Sequence, residues 1–168
     1  MNKTVFTQRL SLRPISDADS ANMIRILRDN TVNKTYMIPD LDEEAAQKLF
    51  VRFRDMSADP QRYVKGVYLQ DSLIGWINDQ GVESGKMELG WVIDPVYSNC
   101  GYCSEAAAAA VKELFTRGIQ VVSAGAFCEN LASIRVMEKI GMHPVEFTEE
   151  IEYRGKTHKC VYYEIENV

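Results

Sequence analysis

The residues whose types and spacing could do chemistry are densest between positions 88 and 105, where the chain reads ELGWVIDPVYSNCGYCSE. A predicted strand ends at Pro95, a short polar loop follows, and a predicted helix begins near Tyr102. The first N–H groups of a helix have no acceptor within the helix, and the helix dipole adds about half a positive charge there. Gly101 has no Cβ, so the backbone could approach a phosphate closely. The segment is therefore either an anion site or an ordinary strand–loop–helix connection, and it matches neither a Walker loop nor the GxGxxG motif.

A second polar cluster stands at the start of a short helix predicted over 131–140. Asn130 is the expected N-cap, Ser133 lies one turn further on, and Gly141 closes the helix. This pattern is typical of a capped amphipathic helix. It would equally hold two polar groups near one point at the mouth of the helix, facing the end of the preceding strand.

Four cysteines suggest two further kinds of site. Cys100 and Cys103 form a CxxC motif at a predicted helix start, where dithiol oxidoreductases lower the pKa of a thiol. A zinc site from Cys100, Cys103, His158 and Cys160 is conceivable, but the sequence has no second CxxC and no HxxxH, so we predict no metal. In the absence of a secretory signal, reduced thiols are expected.

Composition bounds the class of protein. The chain has 168 residues, a formal net charge of −5 and 46% hydrophobic residues, which predicts a single globular domain over 1–168. The acidic balance argues against nucleic-acid binding and is compatible with a cationic substrate. No apolar run is long enough to cross a membrane, and the first residues lack the pattern of a signal peptide, so we expect a cytoplasmic protein.

Hydrophobic periodicity and turn residues predict the elements that would position these clusters. In chain order they are a strand at 10–13, a helix opened by a capping box at 16–19, a helix at 42–56, strands at 63–69, 73–78 and 87–93, a helix at 104–117, a strand at 121–124, a helix at 131–140, and strands at 144–153 and 157–165. The order βααβββαβαββ predicts an α+β (mixed α/β) fold. We expect a single mixed, mostly antiparallel sheet of about seven strands with helices on both faces.

Three stretches together resemble the GNAT superfamily of acetyl-CoA-dependent N-acetyltransferases, and within it the RimJ/RimL-like branch of ribosomal-protein alanine N-acetyltransferases. They are TQRLSLRP at 7–14, ELGWVIDP at 88–95 continuing to GYCSEA at 101–106, and NLASIRVMEKIG at 130–141. The turn YRGK at 153–156 is similar to the last hairpin of that branch. The match spans nearly the whole chain in order, and it implies a GNAT-like fold.

The resemblance implies a binding site for acetyl-CoA, which is a co-substrate of the reaction. Two adjacent strands would splay apart, and the exposed backbone of Trp91, Val92 and Ile93 would bind the pantetheine arm. Asn130 would touch the same arm. The diphosphate would be held by the backbone N–H groups of the loop and helix start, namely Ser98, Asn99, Cys100, Gly101, Tyr102, Cys103 and Ser104.

Catalytic roles also follow from the resemblance. Glu88 would accept a proton from the acceptor amine, directly or through a water, and otherwise is a solvated or ion-paired strand carboxylate. A backbone N–H near Val92 would stabilise the negative charge that develops on the thioester oxygen. Ser133 would donate a proton to the departing thiolate, and otherwise makes a hydrogen bond at the helix start.

The acceptor stays open at this point. A protein N-terminus, a polyamine or another small-molecule amine would fit, and the segments around 31–41 and after Gly141 would choose among them. We expect no nucleic-acid or membrane partner, and either a monomer or a homodimer. The family loop pattern Gln/Arg-x-x-Gly-x-Gly/Ala is altered at Ser98 and Cys103, and Asn99 stands where the family often has a further glycine. A non-catalytic acyl-CoA-binding module is therefore one alternative, and a CxxC thiol–disulfide oxidoreductase is another.

Overall fold

The computed structural model describes residues 3–168, which contain eight strands and five α-helices. The strands are β1 (Val5–Phe6), β2 (Leu10–Arg13), β3 (Val64–Leu69), β4 (Ser72–Glu83), β5 (Lys86–Ile93), β6 (Val121–Phe127), β7 (His143–Tyr153) and β8 (Lys156–Glu166). The helices are α1 (Ser20–Leu27), α2 (Asn30–Asn33), α3 (Glu43–Ala58), α4 (Tyr102–Thr116) and α5 (Leu131–Lys139).

All eight strands form one sheet in the order β1-β2-β3-β4-β5-β6-β8-β7. Only β5 and β6 pair in parallel, and every other pair is antiparallel. The prediction of a single mixed, mostly antiparallel sheet is therefore confirmed. The predicted order lacked two elements, β1 and α2. A two-residue strand is too short to show alternation, and α2 is a single turn that begins where the Asp29 side chain accepts from the N–H groups of Thr31 and Val32.

Helices cover both faces of the sheet, each over its own apolar cluster. One cluster packs α1, α2 and α3 against β3, β4 and the end of β5, with Trp76 fully buried at its centre. The other cluster packs α4 and α5 against the opposite face. The side of α4 that meets the sheet carries Ala106, Ala107 and Ala110, all buried. Their small side chains allow the helix backbone to lie close to the strands.

The parallel pair β5–β6 is the feature of the sheet that matters for function. The two strands pair over three residue pairs only, from Lys86 with Val121 to Glu88 with Ser123. Beyond Glu88 the two strands diverge, so the second half of β5 has no neighbour on that side. The sheet is thus split at its middle, as the family resemblance implied.

Candidate functional site

A loop with left-handed backbone leads from β5 into α4. Asn99 and Gly101 have φ values of +58° and +79°, and Gly101 is the N-cap of the helix. No side chain of residues 3–168 caps α4, and its first intrahelical bond runs from the N–H of Glu105 to the carbonyl of Gly101 at 3.1 Å. The N–H groups of Tyr102, Cys103 and Ser104 are therefore available to an anion. The Ser98 N–H, expected in the same role, instead donates to the Pro95 carbonyl at 3.1 Å.

The sheet pairing decides which backbone groups of β5 face the split. The N–H of Asp94 donates to the carbonyl of Ile74 on β4 at 2.8 Å. The Val92 carbonyl also faces β4, because a Cβ built on Gly75 would collide with it. Backbone groups alternate in direction along a strand, so those of Trp91 and Ile93 point into the split.

This alternation changes two sequence-based assignments. Val92 was expected to bind the pantetheine arm through its backbone, and an N–H near Val92 to stabilise negative charge, but the Val92 backbone faces β4 and its side chain is buried in the cluster under α1–α3. The neighbouring amides of Trp91 and Ile93 are the donors that the geometry favours. Sequence periodicity could not have distinguished them, because the direction of the amides depends on the register with β4.

Glu88 is the last residue of β5 that pairs with β6, so it lies at the apex of the split. Its side chain is half-buried and makes no hydrogen bond or ion pair within the described part of the chain. Desolvation raises the pKa of the Glu88 carboxyl, the nearby charge of Lys86 lowers it, and that of Glu149 raises it. The ion-paired alternative for Glu88 is therefore not what the structure contains.

Asn130 and Ser133 lie at the start of α5, just after β6 ends. The Asn130 side chain accepts a hydrogen bond from the Ser133 N–H at 3.2 Å, so Asn130 is the N-cap that the sequence predicted. Ser133 is half-buried, and its hydroxyl makes no hydrogen bond within residues 3–168. The N–H of Ser133 thus completes the cap, while its hydroxyl stays available as a donor.

The predicted acceptor loop is tied to the last hairpin. The Tyr153 hydroxyl shares its one proton between the carbonyls of Asn33 and Ile38, the latter at 2.9 Å. The Arg154 guanidinium donates to the Asp40 carboxylate at 2.7 Å. From the sequence, YRGK at 153–156 is only a family pattern, and these two side chains have no predicted role. Their partners lie more than a hundred residues away in the sequence, so no local pattern could have predicted these contacts.

Four free cysteines are present, and none is paired with another. Cys100 is exposed, whereas burial raises the pKa of the Cys103 thiol to about 12. No group of three or more histidine, cysteine, aspartate or glutamate residues in 3–168 could hold a metal ion. His158, proposed in the alternative zinc set, instead stacks on Phe127 and contacts the Glu129 carboxylate.

Brief alkylation at neutral pH should therefore modify Cys100 in the native protein and leave Cys103 unmodified until the chain is denatured. A thiol with a pKa of about 12 holds almost no thiolate at pH 7, and thiolate is the reactive form. Mass spectrometry of the labelled peptides measures the outcome. Fast labelling of both residues, together with a reversible Cys100–Cys103 disulfide, would favour the oxidoreductase alternative.

Comparison with known proteins gives a consistent result. A family profile described as "Acetyltransferase (GNAT) domain" matches residues 9–143. An uncharacterized N-acetyltransferase of Bacillus subtilis, YnaD, is 30% identical over 161 residues, covering 95% of this chain and 94% of that protein. A GNAT-family acetyltransferase from Bacillus anthracis superposes with a TM-score of 0.86 at 27% identity, over 98% of this chain and 99% of that one.

More distant structures share the fold. The ribosomal-protein alpha-N-acetyltransferase RimL, solved in complex with coenzyme A, superposes with a TM-score of 0.86 at 15% identity, over 98% of each chain. None of the helices described in residues 3–168 has the length and apolar character that crossing a membrane requires.

Proposed function

The chain belongs to the GNAT family of acetyltransferases, and from that premise we propose that it moves an acetyl group from acetyl-CoA to a primary amine by direct attack. No covalent enzyme intermediate is needed. The observation that supports this most strongly is the split between β5 and β6, which runs from the open N-terminus of α4 toward the unpaired carboxylate of Glu88. Such a split can seat an extended donor and let an amine reach it from the carboxylate side.

The residues present fit a coenzyme A group. Gly101 leaves room above the first amides of α4, and Trp91 and Ile93 direct unpaired backbone groups into the split. When bound, acetyl-CoA supplies the acetyl group as an activated thioester. The amides of the helix start would hold the diphosphate, those of Trp91 and Ile93 the pantetheine arm, and Asn130 would contact the arm from α5.

Glu88 would remove the proton that the acceptor amine must lose. A lysine-like amine of pKa about 10.4 carries a deficit of about 4.6 kcal/mol at pH 7, whereas a protein α-amine near 7.8 carries about 1 kcal/mol. The raised pKa of the Glu88 carboxyl makes it a better base than an ordinary glutamate, and its lack of an ion pair leaves it free to accept. The need for this base grows with the basicity of the acceptor.

The remaining two groups stabilise charge. An N–H of Trp91 or Ile93 would stabilise the developing negative charge on the thioester oxygen, a contribution of about 3 kcal/mol in related acyl transfers. The Ser133 hydroxyl would donate a proton to the departing thiolate. A thiol of pKa about 8.5 is a moderate leaving group near neutral pH, so this proton is less important than the one taken by Glu88.

The Ser133→Ala variant should lower kcat about tenfold and leave thermal stability unchanged. Stability is retained because the cap uses the backbone N–H of Ser133, which alanine keeps. Initial rates at saturating acetyl-CoA and thermal melts measure both quantities. Ser72→Ala, at the exposed start of β4, is the matched control. An unchanged kcat, or a change confined to the KM for acetyl-CoA, would argue against proton donation by Ser133.

An acceptor panel tests the function itself. Release of coenzyme A thiol is measured with acetyl-CoA and N-terminal peptides, polyamines and small-molecule amines. One class should give saturable turnover above hydrolysis. Tight binding of acetyl-CoA with no turnover on any amine would instead identify the non-catalytic acyl-CoA-binding module.

The acidic strand face around Glu146 and Glu149 favours a cationic acceptor.

We also propose that the protein works in the cytoplasm, where acetyl-CoA is available and thiols stay reduced. Its four cysteines are all free, which suits a reducing compartment.

A further inference from the structure

Two cationic side chains from distant parts of the chain meet above Gly101. A Cβ built on Gly101 would lie 3.4 Å from the Arg9 Nη2 and 3.8 Å from the Lys139 Nζ. Arg9 belongs to the turn between β1 and β2, and Lys139 belongs to the last turn of α5. Two charges, neither of them from the loop, therefore face the space over the first amides of α4.

Arg9 is held in this position by several contacts. Its Nε donates to the Glu105 carboxylate at 2.7 Å, its Nη1 donates to the Cys100 carbonyl at 3.0 Å, and its guanidinium lies over the Tyr102 ring. Thr7 fixes the same carboxylate with a hydrogen bond of 2.6 Å. Nη2 is the part of the guanidinium that is left pointing toward Gly101. The geometry is thus set before any ligand binds.

Lys139 is different, because its ammonium makes no ion pair or hydrogen bond within residues 3–168. The C-terminal end of α5 favours a cation, but the ammonium reaches toward the N-terminal end of α4, where the dipole and Arg9 both oppose it. The two cations and the helix end repel one another in the free protein. An anion placed between them would remove that repulsion.

The loop itself supplies no side-chain charge. Residues 98–104 contain no lysine, arginine or histidine, so the loop offers an anion neutral hydrogen-bond donors and no cationic group. A diphosphate carries about two negative charges, and charge-assisted hydrogen bonds to such a group are about twice as strong as neutral ones. A cradle built from amides alone would leave much of that charge uncompensated.

We propose that Arg9 and Lys139 bind the diphosphate of coenzyme A from the two sides of the Gly101 cradle. This inference rests on the proposed function and adds to it the side chains that supply the charge. It also assigns the β1–β2 turn and the end of α5 to the donor site. The donor would then be contacted by groups from three elements, namely the β1–β2 turn, α4 and α5.

Calorimetric titration with coenzyme A tests the role of Lys139. Lys139→Gln should raise Kd about tenfold at low ionic strength, and the difference should shrink as salt is added. Lys112→Gln, which removes an exposed positive charge from the body of α4, is the matched control and should change Kd less than twofold. Equal Kd values for Lys139→Gln and wild type would overturn the inference while leaving the proposed function standing.

Truncated ligands locate the contact. The tenfold ratio should persist with 3′-dephospho-coenzyme A and with ADP, which keep the diphosphate, and should vanish with pantetheine, which lacks it. A ratio that is lost with the dephospho compound would place Lys139 on the 3′-phosphate and overturn the assignment. Failure of the wild type to bind coenzyme A at all would instead overturn the proposed function, and this inference with it.

Arg9 needs a paired design, because its removal leaves the Glu105 carboxylate without its ion-pair partner. The double variant Arg9→Gln with Glu105→Gln is compared with Glu105→Gln alone, and the double variant should bind coenzyme A about tenfold more weakly. Thermal melts of both variants verify that they are folded. Equal affinities in the two folded variants would remove Arg9 from the assignment.

Discussion

Replacement of Gly101 by valine is expected to weaken coenzyme A binding at least a hundredfold. Gly101 has a φ of +79°, which a β-branched residue adopts only with strain, and the new side chain would extend toward Arg9 and Lys139. It would fill the space from which the first amides of α4 are reached. Calorimetry with coenzyme A measures the loss, which corresponds to about 2.7 kcal/mol.

Gly118 provides the control for backbone strain. It follows the opposite end of the same helix with a φ of +92°, and no atom outside its neighbours lies within 4 Å of the Cβ position. Gly118→Val should cost about 1–2 kcal/mol of stability, as Gly101→Val does, and should leave coenzyme A affinity unchanged. If Gly101→Val binds coenzyme A like the wild type, the diphosphate does not occupy this cradle.

Replacement of Glu88 by glutamine is expected to lower kcat/KM about a hundredfold with a strongly basic amine at neutral pH. The glutamine amide cannot accept the proton that the amine must lose. In the wild type, kcat/KM should rise with pH through the raised pKa of Glu88, since only the ionised carboxylate acts as a base. That acid limb should be absent in Glu88→Gln. An unchanged rate and an unchanged pH profile would exclude Glu88 as the base.

The same substitution is expected to stabilise the folded protein slightly. Because the pKa of Glu88 is higher in the folded than in the unfolded chain, ionised Glu88 costs stability above the folded pKa, and the cost vanishes below the unfolded value. Glu88→Gln should therefore melt at a higher temperature than wild type at pH 7 and equally at low pH. Glu149→Gln, which removes the neighbouring negative charge, should shift the acid limb of wild-type activity to lower pH.

Much of the site followed from local sequence signals. The helix start near Tyr102, the cap at Asn130 and the last hairpin all depend on residues within a few positions of one another, and the structure has each of them. The sequence prediction missed β1 and α2 and ended β4 too early, in each case where the local signal is weak. Strand β4 runs to Glu83, past the predicted end at 78, because a bulge between Asp79 and Gly81 restores its pairing with β5 after the alternation is interrupted.

The unpredicted features of the site depend on contacts between distant residues. Whether Val92 or its neighbours face the split is set by the register of β5 on β4, which begins with a hydrogen bond from Asp94 to Ile74. The convergence of Arg9 and Lys139 joins positions separated by most of the chain. No periodicity within a window of sequence carries such information, although it is fixed once the sheet has formed.

The hydrogen bonds of Tyr153 have a consequence for how such enzymes diverge. They join the turn of the last hairpin to a loop more than a hundred residues earlier, so both segments form one wall. A substitution on one side of this wall moves the backbone carbonyls that the other side depends on. Changes of acceptor during evolution should therefore occur as coordinated substitutions in both segments, while the half of the domain that receives the donor stays constant.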